Sequence, residues 1–252
     1  MDLGLKGLRA CVTGGSRGIG LAIARVLADE GASVAICARG KSGVETARKD
    51  LEARGARVHA EAVDVRDAAQ LRGFIVRAAE QLGGLDILVS NPSGGAGTDD
   101  AAWRSTFEVD LMGAVRSVDA ALPALSKSRA GSVVFISSTA ALETFMGPTS
   151  YNALKGALIV HSNGLSQSLA AQGIRVNTVS PGPILIENGG WDQIRKGAPQ
   201  MYEATLAQLP MGRMGSDAEV ARAAVFLASP AASFITGVNL VVDGGFTKRV
   251  DF

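Results

Sequence analysis

Residues that build disulfide frameworks and metal sites are scarce in this chain. Its 252 residues include two cysteines, Cys11 and Cys37, and two histidines, His59 and His161. Each cysteine lies in an apolar run typical of a strand, and the histidines have no cysteine or acidic companions at the spacing of metal ligands. We therefore predict buried, reduced thiols, structural histidines and no metal site.

An excess of charge and a long hydrophobic run are missing as well. There are 25 basic and 24 acidic side chains, for a net charge of +1, without long blocks of one sign. This balance does not favour binding to nucleic acid or to an anionic membrane. No uncharged run is long and apolar enough to span a bilayer, and the first residues do not resemble a signal peptide. We therefore expect a cytoplasmic protein whose partner is a small molecule.

What the sequence does contain is a regular alternation of apolar runs and amphipathic stretches. Strands are predicted at residues 9–12, 33–38, 57–63, 87–90, 132–137, 175–180 and 239–242, with helical patterns between most of them. Such alternation predicts an α/β fold in which a doubly wound, seven-stranded parallel sheet carries helices on both faces. The length suits one domain over residues 1–252.

Three polar residues form a candidate catalytic group. Tyr151 and Lys155 are four residues apart, so they lie on one face of a helix, where the ammonium favours ionisation of the phenol. Ser138 lies thirteen positions before Tyr151, after a predicted strand. A hydroxyl at that place can hold a carbonyl oxygen beside the phenol, which predicts general acid–base chemistry at a carbonyl.

A glycine-rich segment near the N-terminus is typical of a dinucleotide site. Gly14, Gly18 and Gly20 follow the first predicted strand and precede a helix-like stretch at residues 21–27. Glycines allow the backbone to approach a pyrophosphate closely, and the helix N-terminus offers free N–H groups.

Together these motifs resemble the short-chain dehydrogenase/reductase family over nearly the whole chain, in particular its 3-oxoacyl-acyl-carrier-protein reductase-like members. The resemblance implies a Rossmann fold and hydride transfer between a nicotinamide and a carbonyl or secondary alcohol. It implies that Tyr151 is the general acid/base, that Ser138 orients the oxygen and that Lys155 binds the ribose hydroxyls. Ser137 is adjacent, but the spacing to Tyr151 favours Ser138.

The resemblance also implies a set of cofactor-binding residues. Asp64 and Val65 match the family's adenine-contacting pair, although an aspartate at a strand end is often only a cap. Pro181, Gly182 and Ile184 match the loop that approaches the nicotinamide carboxamide. The full set is Gly14, Ser16, Arg17, Gly18, Ile19, Gly20, Arg39, Asp64, Val65, Asn91, Tyr151, Lys155, Pro181, Gly182 and Ile184.

The end of the second predicted strand favours NADP(H) over NAD(H). An acidic residue there would bind the ribose 2′-hydroxyl and repel a 2′-phosphate, but this chain has Ala38 and Arg39. Arg39 and Arg17 could converge on a phosphate through charge-assisted hydrogen bonds. The alternative is that both are ordinary surface charges.

Three positions depart from the family pattern. Asp110 stands where the resemblance implies a catalytic asparagine, and a carboxylate about 6 Å from Lys155 would stabilise the ammonium but oppose a tyrosinate. We hypothesise that Asp110 shifts the pH optimum upwards or serves as a proton relay. Ser93 adds a side chain near the nicotinamide ribose, and Ile186 replaces a threonine whose hydroxyl would bind the cofactor.

Residues 184–215 predict a mobile apolar lid, because glycines flank apolar side chains at helix-like spacing; core packing is the alternative. Its presence implies a substrate with an apolar portion. The helix predicted at residues 151–171 is apolar around most of its circumference, so more than one face is expected to be buried. The resemblance implies a dimer through this helix and a homotetramer completed near residues 234–246.

Two other functions stay open at this point. One is an NAD-linked alcohol dehydrogenase, which the two arginines disfavour. The other is a dinucleotide-binding regulatory protein without turnover, suggested by the departures at Asp110, Ser93 and Ile186 and disfavoured by the intact Ser138, Tyr151 and Lys155.

Overall fold

The protein contains one seven-stranded sheet, seen in a computed structural model that describes residues 2–144 and 147–250. All of its strand pairs are parallel, and the strand order is β3-β2-β1-β4-β5-β6-β7. The strands are β1 (Arg9–Thr13), β2 (Ser33–Ala38), β3 (Val58–Ala62), β4 (Ile87–Ser90), β5 (Ser132–Ile136), β6 (Arg175–Pro181) and β7 (Asn239–Val242).

Helices connect the strands. They are α1 (Gly18–Asp29), α2 (Lys41–Ala53), α3 (Ala68–Leu82), α4 (Asp100–Thr106), α5 (Gly113–Leu125), α6 (Ser150–Leu169), α7 (Gly190–Gly197), α8 (Pro199–Leu206) and α9 (Asp217–Ala228). A π-helical turn at Phe107–Met112 joins α4 to α5, and a 3-10 turn at Thr139–Ala141 follows β5.

Alternate residues of the central strands enter two different cores. Val12 and Ile36 pack into the core that includes the apolar faces of α1 and α9, whereas Cys11 and Cys37 pack into the core with α3 and α5. Because successive side chains of a strand point to opposite faces, strands buried on both sides must be apolar throughout. Both thiols are fully buried, and burial raises the pKa of Cys37 to about 12.

The order of the strands places the site. Connections run one way from β1 to β3 and the other way from β4 onwards, so the switch point lies between β1 and β4. Ligands of such sheets bind at the carboxyl ends of the strands next to that point. The loops after β1, β4, β5 and β6 carry most of the predicted site residues.

The doubly wound parallel sheet is confirmed, with small differences in strand limits. β1 continues through Thr13 and β6 through Pro181, whereas β3 is shorter than predicted. α6 buries one face within the chain and leaves Val160 73% exposed, so burial of a further face through contacts between subunits stays a prediction. Residues 184–215 contain the two short helices α7 and α8.

Residues 2–144 and 147–250 contain neither a candidate membrane-spanning helix nor a candidate metal site. None of their helices combines the length and the apolar character that crossing a bilayer requires. Nor do three or more histidine, cysteine or acidic side chains gather there in a way that could hold a metal ion. The cytoplasmic location stays a prediction.

Candidate active site

The glycine-rich loop forms a cradle at the start of α1. Arg17 is the N-cap residue of this helix and makes no side-chain capping bond, so the first N–H groups of α1 have no side-chain cap. A Cβ on Gly20 would overlap the carbonyl oxygen of Gly14 and lie 2.6 Å from Asn91 Nδ2. Gly14 and Gly18 have φ values of 69° and 53°, which favour glycine. The loop therefore fits a pyrophosphate group, as the sequence motif predicts.

Asn91 joins this loop to β4. Its Nδ2 donates to the carbonyl oxygen of Gly14 at 3.1 Å. The bond ties the carboxyl ends of β1 and β4 together at the switch point.

Tyr151 and Lys155 both lie in the first turns of α6. Lys155 Nζ is 5.6 Å from the centroid of the Tyr151 ring and donates to the carbonyl oxygen of Ile136 at 2.9 Å. Ser137 Oγ donates to the carbonyl oxygen of Lys155 at 2.9 Å. Ser137 therefore fastens α6 to the end of β5.

Ser138 caps the 3-10 turn that follows β5. Its Oγ accepts a hydrogen bond from the backbone N–H of Ala140 at 3.1 Å. Because the oxygen is the acceptor in this bond, the hydroxyl proton stays available for a carbonyl oxygen.

Asp110 forms a buried ion pair with Lys155. Its Oδ1 is 2.9 Å from Lys155 Nζ, and the two side chains are 0% and 3% exposed. Its Oδ2 accepts from the backbone N–H of Gly94 at 2.5 Å. The separation is much shorter than the 6 Å considered from the sequence, because the π-helical turn that carries Asp110 packs against α6.

The loop after β4 is bound to its surroundings at several further points. Thr106 Oγ1 lies 2.9 Å from Ser150 Oγ, and the N–H of Ser150 donates to the carbonyl oxygen of Gly97 at 2.9 Å. A Cβ on Gly94 would lie 2.7 Å from the carbonyl oxygen of Ser105. The loop therefore packs closely against α4 and the start of α6, next to Tyr151.

A cavity of about 290 Å³ brings together eight of the predicted site residues, whereas Asp110 and the loop residues Gly14, Ser16, Gly18 and Gly20 do not line it. The sequence-predicted residues that line it are Ile19, Asn91, Ser138, Tyr151, Lys155, Pro181, Gly182 and Ile184, together with Ser93 and Ile186. Residues from the start of α1 and from the ends of β4, β5 and β6 thus share one space.

The residues predicted to hold the adenosine half of the cofactor lie outside this cavity. Arg17 and Arg39 are exposed. The carboxylate of Asp64 pairs with Arg66, and this hydrogen bond lowers the pKa of Asp64. Val65 is buried in the core with α3 and α5. Their cofactor contacts stay predictions.

The predicted lid contributes a wall of the cavity. Trp191 in α7 and Ile186 before it line the cavity. Trp191 also packs on a small apolar cluster formed by Leu209, Met214 and Phe246. The segment therefore has an apolar cluster behind it as well as a face towards the site, and its mobility as a lid stays a prediction.

Two parts of the site were not predicted from the sequence. The carbonyl oxygen of Ile136 and the N–H of Gly94 hold Lys155 and Asp110, respectively. Both are backbone groups, for which residue type carries no signal.

A family model described as Enoyl-(Acyl carrier protein) reductase matches residues 14–247. The chain belongs to the short-chain dehydrogenase/reductase family. The protein is thus an enzyme of an oxidoreductase family, and the resemblance noted from its motifs is confirmed.

Relatives within this family align along essentially all of the chain. Isoepoxydon dehydrogenase of Penicillium expansum is 38% identical, covering 100% of this chain and 99% of its own. The 3-oxoacyl-[acyl-carrier-protein] reductase of Vibrio cholerae is 34% identical, covering 96% and 98%. The structure is similar to that of L-sorbose reductase from Gluconobacter frateurii complexed with NADPH and L-sorbose, with a TM-score of 0.90, 32% identity and coverage of 99% and 100%.

Proposed function

We propose that this short-chain dehydrogenase/reductase transfers a hydride between NADP(H) and a carbonyl or secondary alcohol, with Tyr151 as general acid/base. The observation that carries the proposal is the single cavity shared by Ser138, Tyr151, Lys155 and the loop at Pro181–Ile184 beside the glycine-rich cradle. When bound, the nicotinamide supplies or accepts the hydride.

The protein's own residues would manage the substrate oxygen and its proton. Ser138 donates its hydroxyl proton to the oxygen and orients it. Tyr151 gives a proton to that oxygen during reduction and takes one during oxidation. Lys155 favours the tyrosinate and binds the ribose hydroxyls, while Asp110 acts as a positioning residue that holds the ammonium in place.

The choice of NADP(H) rests on the surroundings of the glycine-rich loop. A Cβ on Gly43 would lie 3.7 Å from Ser16 Oγ, so the start of α2 lies beside this loop. Arg39 precedes α2, and Arg17 lies in the loop itself. Both are exposed, and within the described part of the chain neither side chain makes a hydrogen bond or a close ion pair, although the charge of Arg39 helps to lower the pKa of Asp64. The NADPH complex of the sorbose reductase gives further support.

We also propose that the chain forms a homotetramer or a dimer. Val160 on α6 is 73% exposed and Phe234, before β7, is fully exposed. Apolar side chains at these two places suit contacts between subunits.

Purified protein should be tested for NADPH consumption with β-ketoesters, acyl-thioesters, cyclic ketones and quinones, each beside the Tyr151→Phe variant. We expect turnover that falls by about 10²–10⁴ in the variant, while NADPH binding, measured by fluorescence titration, persists. Turnover retained in Tyr151→Phe would contradict the proposed chemistry. NADPH binding without turnover in either direction would favour the regulatory alternative, and equal use of NADH would refute the cofactor preference.

A further inference from the structure

The described lining of the catalytic cavity contains few charged groups that could bind a charged substrate. Among the described residues that line it, Lys155 is the one charged side chain. Its ammonium already contacts Asp110 Oδ1 and the carbonyl oxygen of Ile136, each at 2.9 Å. A carboxylate or ammonium group brought into this space would lose its hydration without gaining a partner of opposite charge. The lining therefore favours a substrate that is uncharged near its reacting carbon.

The cavity is also small. Its volume of about 290 Å³ lies at the bottom of the usual range of about 300–1,000 Å³ for small-molecule sites. The proposed function requires part of the same space for the nicotinamide beside Tyr151. What is left suits a compact substrate better than an extended one.

Trp191 is the aromatic residue of the wall that does not take part in the chemistry. Its neighbour Asp192 holds the turn in place, because Oδ2 accepts from the N–H of Asn188 at 3.0 Å and from Lys196 Nζ at 2.6 Å. Arg195 donates to Oδ1 at 2.6 Å. Asp192 is 2% exposed, and the hydrogen bond from Lys196 lowers its pKa to about 2.

The indole is supported from behind as well. Trp191 packs on the cluster of Leu209, Met214 and Phe246. Two independent restraints, one polar and one apolar, thus hold its position. A pre-positioned aromatic face binds a rigid ring well, since the ring loses less conformational freedom on binding than a flexible chain of equal size.

We propose, on the basis of the proposed function, that the substrate is a compact, uncharged cyclic ketone or the matching cyclic secondary alcohol. Trp191 is the specificity-determining residue, and its indole packs against the substrate ring. Ser93, at the same cavity, accepts from the N–H of Gly95 at 3.3 Å and keeps its own proton for a second oxygen on that ring.

Four carbonyl compounds test the proposal with NADPH as reductant. Cyclohexanone is compared with hexan-2-one, which has the same number of carbon atoms, with 4-oxocyclohexanecarboxylate, which adds a charge, and with the acetoacetyl thioester of N-acetylcysteamine. We expect kcat/KM for cyclohexanone to exceed each of the others by about tenfold or more.

Variants at Trp191 and Trp103 test whether Trp191 is responsible for the preference for cyclohexanone. In Trp191→Ala, kcat/KM for cyclohexanone should fall by about tenfold, mainly through KM, with a smaller change for hexan-2-one. Trp191→Phe should keep most of the preference for the cyclic ketone. That result would show that the loss in Trp191→Ala does not come from a failure to fold. Trp103→Ala is the matched control, since Trp103 is half-exposed on α4 and does not line the cavity.

The outcomes separate this inference from the proposed function. Reduction of all four compounds with hexan-2-one or the thioester preferred would overturn the inference and leave the function standing. An equal fall for cyclic and linear ketones in Trp191→Ala would overturn the role of Trp191. Reduction of none of the four, with NADPH bound, would count against the proposed function and against the inference together.

Discussion

Asp110 Oδ1 lies 2.9 Å from Lys155 Nζ, so a buried carboxylate is in direct contact with the ammonium beside Tyr151. The second carboxylate oxygen accepts from the N–H of Gly94, which fixes the orientation of the group. The carboxylate of Asp110 therefore holds both Lys155 and the loop after β4. Lys155 Nζ thus lies against a carboxylate and also 5.6 Å from the centroid of the Tyr151 ring.

Replacing Asp110 by asparagine should move the pH dependence of alcohol oxidation. Asparagine can still accept from Gly94 but removes the negative charge, so the ammonium favours the tyrosinate more strongly. We expect the pH–rate profile of kcat/KM for oxidation to move towards lower pH in this variant. An unchanged profile would exclude an electrostatic role for Asp110. Asp110→Ala, which also loses the bond to Gly94, tests the positioning part through KM for NADPH.

Arg17 and Arg39 should set the preference between the two dinucleotides. Each substitution by alanine removes one candidate partner of a 2′-phosphate, a group that NADH lacks. We expect the Kd for NADPH to rise about tenfold for each variant, with little change for NADH, in fluorescence titrations. Arg72→Ala, an exposed arginine on α3, serves as control. Parallel weakening of NADH and NADPH would argue for a structural role instead.

Gly20→Ala should damage the dinucleotide cradle. The added methyl group would overlap the carbonyl oxygen of Gly14 and press on Asn91 Nδ2 at 2.6 Å. We expect a loss of about 1–3 kcal/mol in the free energy of unfolding and weaker NADPH binding, measured by urea unfolding and titration. Gly197→Ala, at the end of α7 with no atom within 4 Å of the added group, is the matched control. Wild-type binding by Gly20→Ala would show that the loop can widen.

A second buried carboxylate, Asp86, should govern stability in acid. Its oxygens accept from Arg9 Nε at 2.7 Å and from Ser128 Oγ at 2.5 Å, and its side chain is 3% exposed. Burial alone would raise the pKa of Asp86, but these hydrogen bonds outweigh it and lower that pKa. The carboxylate therefore stabilises the fold above the unfolded-state pKa of about 3.9, and the contribution is lost as the pH falls through the lower folded value.

We accordingly expect Asp86→Asn to lower the free energy of unfolding by about 1–3 kcal/mol at neutral pH, with a difference from wild type that shrinks as the solution becomes acidic. Urea titrations at neutral and at acidic pH measure this difference in the free energy of unfolding. Asp100→Asn is the control: the carboxylate of Asp100 is 79% exposed and pairs with Arg104. Loss of this surface ion pair should change the free energy of unfolding little. A deficit for Asp86→Asn that stays constant with pH would contradict the argument.

Local patterns were sufficient to predict the seven strands and to single out the glycine-rich loop and also Ser138, Tyr151 and Lys155, three residues that line one cavity in the folded chain. The catalytic roles of these three residues stay predictions. Strand burial and helix spacing are short-range properties, and they appear directly as apolar runs and as residues four apart. The departures at Asp110, Ser93 and Ile186 were visible in the same way, because each stands inside a motif.

Distances between separate elements could not be read from such patterns. The contact of Asp110 with Lys155 depends on a π-helical turn packing against α6, and the bonds from Ile136 and Gly94 use backbone groups that every residue has. The place of Trp191 depends on Asp192 and on a cluster that includes Phe246, more than fifty residues away in the chain. Only the folded chain brings these groups together, since close packing, and not residue type, decides which of them meet.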